Sequence, residues 1–198
     1  MQLHGRRQTK SWIGMLAVLG LGGIPPAYCQ PRQIDTAKSV ITVRVYKTGM
    51  LSALGHDHEI SAPLARGTVD PAGRKVELRV RAAALRVLDA KLSAKDRAGI
   101  QSTMLGPQVL DAENHQEIVF HSTTAEAAGA GAWKVSGELS VRGETRPVSM
   151  EVTERDGHYA GTCRFKLTEF GIKPIKAAGG TVRVKDEVQV EFDVQLLH

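Results

Sequence analysis

A two-residue alternation of apolar and polar side chains recurs through residues 40–197 and constrains this chain more than any other feature. In the segment VITVRVYK, which starts at Val40, the residues Ile41, Val43 and Val45 stand at every second position. Because successive side chains of a β-strand point to opposite faces, this pattern predicts a strand with one apolar and one solvated face. The same alternation recurs in KVELRVRA (75–82), WKVSGELSVR (133–142), PVSMEV (147–152), TCRFKL (162–167) and VQVEFDVQLL (188–197).

One segment, residues 93–115, does not alternate. Ser93 followed by Asp96 resembles a helix cap, and apolar residues then recur at helical spacing up to Gly106-Pro107, which is predicted to end the helix. Elsewhere, turn-forming sequences separate the strands, namely DPAGR (70–74), RGETRP (142–147), RDGH (155–158) and KAAGG (176–180).

The chain is therefore predicted to be all-β with one helical insertion and to form about eight antiparallel strands that are connected locally. Eight strands that each have an apolar face can close into a barrel, which removes their exposed edges. The interior of such a barrel is either filled by side chains or holds one small ligand. The alternation alone fits a sandwich as well as a barrel.

Residues 1–29 are predicted to be a cleaved secretory signal peptide. They combine the basic segment MQLHGRRQTK, an apolar run that is too short to span a bilayer, and the helix-breaking PPAYC. The mature domain is predicted to cover residues 30–198, a length that fits one domain, and to be located in the periplasm.

The balance of charges argues against a nucleic-acid partner. The chain has 26 Lys+Arg and 21 Asp+Glu residues, and three of the basic residues lie in the leader. The mature chain therefore has only a small positive excess among interspersed signs, so no nucleic-acid binding is expected. Stable insertion in a membrane is not expected either, because an outer-membrane barrel needs two aromatic girdles and aromatic residues make up only 5% of the chain.

Six blocks, taken in order, resemble the YceI-like family of periplasmic polyisoprenoid-binding proteins. The most specific is VSGELSVRGETRPVSMEV, a strand, a glycine turn, Thr-x-Pro and a return strand. The blocks are IDTAKSVITVRVYKTG (34–49), GTVDP (67–71), AKDRAGIQSTMLGPQVLDAENHQEIVFHST (94–123), VSGELSVRGETRPVSMEV (135–152), LTEFGI (167–172) and DEVQVEFDV (186–194).

The resemblance implies an extended, lipocalin-like antiparallel β-barrel that holds a long apolar ligand in its lumen. It implies no cofactor other than such a bound polyisoprenoid, and the fold is compatible with a homodimer. The chain departs from many relatives at His115-Gln116, where they have a proline and an aromatic residue, and across residues 46–66. These departures leave the identity of the ligand open.

The residues predicted to line the ligand are the inward apolar positions of the strands, together with two residues of the helix near an opening. Each CH₂ group taken out of water contributes about 0.8 kcal/mol, so such a lining needs no catalytic group to hold a lipid. The predicted lining consists of Ile41, Val43, Val45, Val76, Leu78, Val80, Met104, Leu105, Val135, Leu139, Val141, Met150, Val152, Phe165, Val188, Val190 and Phe192.

The stretch Gly55-His56-Asp57-His58 admits three interpretations. It could form a tight turn in which Asp57 bonds backbone amides. It could place two imidazoles at the barrel mouth, near a ligand head group. It could also supply His56 and His58 to a metal ion, although a zinc or copper site needs further ligands.

No pattern in the chain predicts catalysis. The motifs G-x-S-x-G, H-E-x-x-H and C-x-x-C are absent from the sequence, and the inward positions of the strands are apolar rather than acidic. The predicted function is therefore a secreted, non-catalytic carrier or storage protein for a polyisoprenoid or another long-chain lipid. The alternative is a metal-binding or redox-linked envelope protein that uses His56 and His58.

Overall fold

The computed structural model describes residues 30–48, 57–177 and 182–197, so the proposed signal peptide and His56 lie outside the described residues. The described chain forms one antiparallel sheet and one α-helix, α1, at Ala94–Leu105. Two short 3₁₀ segments, Ala82–Ala84 and Leu167–Phe170, complete it. The strands are β1 Arg32–Gln33, β2 Val40–Thr48, β3 His58–Ser61, β4 Leu64–Asp70, β5 Lys75–Arg81, β6 Arg86–Val87, β7 Glu117–Gly129, β8 Ala132–Val141, β9 Glu144–Arg155, β10 His158–Lys166, β11 Lys176–Ala177 and β12 Val182–Gln195.

The sheet has 12 strands, eleven of which follow one path in the order β1-β4-β5-β7-β8-β9-β10-β12-β2-β3-β6, while β11 pairs with β12. It curves into a half-barrel around an internal cavity. The predicted all-β antiparallel fold with one helix is confirmed.

The strand count exceeds the predicted eight because the first part of the sheet is divided into short strands and two other strands are only two residues long. A turn separates β1 from β2, and in it Asp35 Oδ1 accepts the amides of Ala37 and Lys38 at 3.1 and 3.2 Å. Pro63, which has no amide donor, lies between β3 and β4. The strands β6 and β11 are two residues long, too short for an alternation to be visible in the sequence.

Two hairpins follow the turn chemistry that their sequences predict. Arg142 and Gly143 have φ angles of 52° and 79°, and Asp156 and Gly157 have 53° and 79°. Two successive left-handed residues give the turn geometry whose twist matches that of the flanking strands. Each turn therefore fixes the register of its hairpin, β8–β9 and β9–β10 respectively.

The helix α1 begins and ends where the sequence predicts. Ser93 Oγ accepts the Asp96 amide at 3.1 Å, and Gly106 ends the helix. Gln101 then ties α1 to the sheet, because its side chain accepts the Val87 amide at 2.9 Å and donates to the Leu85 carbonyl at 2.8 Å. These contacts place the buried Met104 over the interior of the sheet.

Candidate ligand-binding cavity

The inward faces of the strands and one face of α1 line a cavity of about 1100 Å³. Most of its lining side chains are aliphatic or aromatic. Sixteen of the 17 residues predicted from the sequence line it, namely Ile41, Val43, Val45, Val76, Leu78, Val80, Met104, Val135, Leu139, Val141, Met150, Val152, Phe165, Val188, Val190 and Phe192.

Leu105, the seventeenth predicted residue, does not line the cavity and packs against the surrounding apolar core instead. The residues of α1 that reach the cavity include Ile100, Thr103 and Met104. Since consecutive helical residues are about 100° apart, Leu105 is rotated away from the face that these three residues share.

Sequence reasoning missed further lining residues on the short strands and on β7. Ile60 on β3, Ala62 in the link and Val69 on β4 line the cavity. Their sequence shows no clear two-residue period. Ile118 and Phe120 also line it. These two alternate in the sequence EIVFH, so the same reasoning could have identified them.

The wall of the cavity is closely packed around Phe170, whose side chain is fully buried. Its ring contacts that of Phe165 edge-to-face, with a centroid distance of 5.2 Å and an interplanar angle of 70°. Ile172 and Val188 are also almost completely buried next to the cavity. The cavity is thus an opening within a packed core rather than a region of loose packing.

A polar group stands in this wall at the first residue of β3. His58 lines the cavity, and its Nδ1 lies 2.5 Å from Asp89 Oδ2. The other carboxylate oxygen, Asp89 Oδ1, accepts the Glu59 amide at 2.8 Å. The His58 and Asp89 side chains retain 12% and 6% of their exposure, so this is a largely buried pair.

The stretch Gly55 to His58 is described only from Asp57 onward. Asp57 Oδ1 accepts the Lys47 amide at 3.1 Å, a bond to a backbone amide of the kind that the turn interpretation requires. His58 contacts the cavity, as the mouth interpretation requires. Among the described residues, no three His, Cys, Asp or Glu side chains are grouped so that they could hold a metal ion.

Cys163 is the free cysteine of the described chain, and it lies buried in the cavity wall. Burial raises the pKa of its thiol to about 11, since an apolar surrounding disfavours the thiolate. The thiol is therefore protonated at neutral pH and is a poor nucleophile or metal ligand.

The outward faces of the same strands carry paired charges. Arg44, on the outward side of β2, bonds Glu191 at 2.9 Å and Glu59 at 3.2 Å. The hydrogen bond from Arg44 lowers the pKa of the Glu191 carboxyl. The solvated face that the alternation predicts thus has its positive and negative side chains matched across neighbouring strands.

Comparison with known proteins gives a family match over nearly all of the described chain. The family model of the YceI-like domain matches residues 33–196. No match to the chain was found among curated proteins.

Two solved structures match the chain. BcnA from Burkholderia cenocepacia is 20% identical and has a TM-score of 0.59, with 81% of this chain and 98% of that chain covered. The YceI protein of Campylobacter jejuni is 11% identical and has a TM-score of 0.48, with 77% and 84% covered. At 20% identity the similarity to BcnA establishes the fold alone.

Proposed function

We propose that this chain, which belongs to the YceI-like family, is a non-catalytic carrier or storage protein for a polyisoprenoid or another long-chain lipid. The observation that carries the proposal is the cavity of about 1100 Å³ with its predominantly apolar lining. Ligand pockets usually measure about 300–1,000 Å³. This cavity therefore has the size for a large apolar ligand.

The chemistry of the lining suits a lipid rather than a polar metabolite. Burial of each CH₂ group contributes about 0.8 kcal/mol, so a long chain gains enough to offset the loss of its own freedom on binding. Aliphatic walls give no directional contacts, and they accept saturated and isoprenoid chains alike. Among the described residues no helix is long and apolar enough to cross a membrane.

We also propose that the sheet closes as an eight-stranded, lipocalin-like barrel through β1. Two pairings support closure, because Arg32 of β1 pairs with Val69 of β4 and Ile34 bridges to Leu196, which directly follows β12. In this arrangement β1 with β2, and β3 with β4, each act as one interrupted strand. The Asp35 amide donates across the closing contact to the Gln195 carbonyl at 2.8 Å. Slow hydrogen exchange at the Asp35 amide would support closure, and exchange at the rate of an open strand edge would contradict it.

We propose further that residues 1–29 direct export to the periplasm and are then removed. The support is the sequence pattern of the leader, described above. Expression of the full chain followed by cell fractionation and intact mass measurement tests this. A periplasmic product that lacks the leader is expected, whereas a full-length cytoplasmic product would contradict export.

The decisive experiment for the binding function is lipid extraction from the purified protein. We expect organic extraction to release a long-chain lipid, and the delipidated protein to take up a long isoprenoid alcohol at one molecule per chain. Absence of both would overturn the proposal.

A variant that fills the cavity links the uptake to this site. Ala125 lines the cavity and Glu126, next to it on β7, is exposed. Ala125→Trp is expected to reduce uptake of the isoprenoid, since the indole occupies space that the ligand needs. The matched variant Glu126→Trp adds the same side chain outside the cavity and is expected to bind as the unaltered protein does.

A further inference from the structure

The cavity is not apolar throughout, because Lys47 and His58 enter it at one end. Lys47 is the next inward residue of β2 after Val45, and Val45 pairs with His58 across β2 and β3. On its other side, Lys47 pairs with Val184 at the start of β12. All four residues line the cavity, so the register places Lys47 and His58 on one wall, diagonal to each other across β2 and β3.

One nitrogen of the His58 imidazole has a hydrogen-bond partner among the described residues and the other has none. Nδ1 is bonded to Asp89, and a carboxylate can only accept, so Nδ1 carries the hydrogen. Nε2 has no hydrogen-bond partner among residues 30–48, 57–177 and 182–197. The bond to Asp89 fixes the ring so that Nε2 is available to a molecule in the cavity.

The ammonium of Lys47 has no carboxylate partner among the described residues, which contrasts with Arg44 on the opposite face of β2. The sequence offers none nearby in the chain either, since residues 49–56 and 178–181 contain no Asp or Glu. A cation on an inward face without an anion is unusual, because burial of an unpaired charge is costly. An anionic ligand group would supply the missing partner.

Most of the other charged residues that line the cavity are basic, namely Arg74, Lys75, Lys95, Lys173 and Arg183. The two carboxylates that reach it are used locally, since Asp70 accepts the amide of Gly73 at 3.0 Å and Asp96 accepts a hydrogen bond at 2.7 Å from the hydroxyl that caps α1. The cavity therefore presents an excess of positive charge to its contents.

We propose that Lys47 and His58 form a site for the acidic head group, a carboxylate or a phosphate monoester, of an amphiphile whose apolar chain fills the cavity. Lys47 forms an ion pair with the head group. His58 donates Nε2–H to an anionic oxygen when the ring is protonated, and accepts the O–H of a protonated head group when the ring is neutral. This inference rests on the proposed lipid-binding function and names the chemical class of its ligand.

The test compares four amphiphiles with the same hexadecyl chain length: hexadecanol, hexadecanoate, hexadecyl phosphate and hexadecyltrimethylammonium. Dissociation constants are measured for the delipidated mature protein below the critical micelle concentrations. We expect the two anions to bind at least about tenfold more tightly than the alcohol, since a hydrogen bond to a charged group is stronger than one to a neutral group. The cationic amphiphile is expected to bind most weakly.

Three variants assign the preference to this site. Lys47→Met keeps an apolar chain of similar length and is expected to remove most of the preference for anions while the affinity for hexadecanol changes less than about twofold. His58→Asn keeps a donor toward Asp89, removes Nε2, and is expected to reduce the preference independently. Lys134→Met, which removes an exposed lysine on β8, is expected to change neither the preference for anions nor the affinity for hexadecanol.

The two anions distinguish a carboxylate from a phosphate head group, because the anion that binds more tightly identifies the class that the site prefers. Equal affinity of the unaltered protein for anions and alcohol would overturn this inference and leave the proposed function intact. A preference for anions that survives both Lys47→Met and His58→Asn would also overturn it. Failure of all four amphiphiles to bind would instead overturn the proposed function.

Discussion

The wall of the cavity has two regions that are built differently. From β7 to β10 the chain makes consecutive hairpins, and the residues that line the cavity there are aliphatic or aromatic apart from the sulfur-containing Met150 and Cys163. From β1 to β4 the strands are interrupted after Gln33 and at Pro63, and this region brings His58 into the cavity. Regular hairpins thus supply an apolar wall, and the interrupted strands bring Lys47 and His58 into the cavity.

We infer from this comparison that the two regions serve different parts of the proposed ligand. An apolar wall holds a chain without selecting it, since burial of apolar surface has no preferred direction. A hydrogen-bonded imidazole and a cation select by charge and geometry. Substitutions in the hairpin region should therefore change stability and overall capacity, whereas substitutions near β2 and β3 should change selectivity.

The largest effect is expected from a charge placed in the hairpin wall. Val135→Asp puts a carboxylate at a buried position in the cavity wall where no basic side chain pairs with it. We expect a loss of about 3–5 kcal/mol in the free energy of unfolding, a large share of the stability of a domain. Urea denaturation followed by circular dichroism measures it.

The control for this charge is Thr124→Asp on the neighbouring strand. Thr124 is exposed on β7, so the same carboxylate remains solvated there. The free energy of unfolding is expected to change by less than about 0.5 kcal/mol. Equal losses in both variants would show that the wall is not the apolar structure described.

A smaller loss is expected where a glycine lies under an aromatic ring in the sheet. A Cβ atom at Gly161 would lie 2.7 Å from the Phe192 ring and would also meet the backbone of β9. Gly161→Ala should cost about 1–3 kcal/mol, since the strand or the ring must move. Thermal and urea denaturation measure the difference.

The matched substitution is Gly99→Ala in α1, where no atom lies within 4 Å of the added Cβ. There the change should be neutral or should stabilise by up to about 1 kcal/mol, because alanine favours a helix over glycine. If Gly161→Ala were equally neutral, the close packing of Phe192 against the strand would be wrong.

The turn that interrupts the first strand should contribute about 1 kcal/mol. Asp35 Oδ1 accepts the amides of Ala37 and Lys38, so Asp35→Ala leaves both without that partner. Asp35→Asn keeps an acceptor oxygen and is expected to retain most of the stability. A loss of the same size in both variants would assign the effect to charge rather than to the turn.

The smallest expected effect on the free energy of unfolding comes from an ion pair on the outward face, and it depends on pH. The hydrogen bond from Arg44 lowers the pKa of Glu191, so this carboxylate stabilises the folded state above its unfolded pKa of about 4.3. That contribution is lost as the pH falls through the lower folded pKa. Both side chains are more than one third exposed, which keeps the effect below about 1 kcal/mol.

The measurement is the free energy of unfolding between neutral and acid pH. Glu191→Gln should make it less dependent on pH than in the unaltered protein, with the difference confined to the acid range. The same pH dependence in both proteins would contradict the assigned role of the Arg44–Glu191 pair.

The sequence predicted the regular region well because local signals are sufficient there. Strict alternation gives the inward face of a strand, and Asp156-Gly157 gives its turn, so Val135, Met150 and Phe165 could be placed without a structure. The cap at Ser93 placed α1 for the same reason.

The interrupted region was predicted less completely because its structure depends on partners far away in the chain. The four residues of β3 are too few to show a period, and the bond between His58 and Asp89 joins positions 31 residues apart. Leu105 was misplaced because the spacing of apolar residues does not tell which edge of a helix faces a cavity. Only the packing of α1 on β6 decides that.

The most direct test of lipid binding in the cavity is the affinity of the delipidated protein for straight-chain alcohols, from octanol to octadecanol. Burial of each added CH₂ group should tighten binding about fourfold until the chain fills the cavity, after which the affinity should level off. Ala125→Trp should move that point to a shorter chain. An affinity that does not depend on chain length, or no binding at any length, would contradict the account.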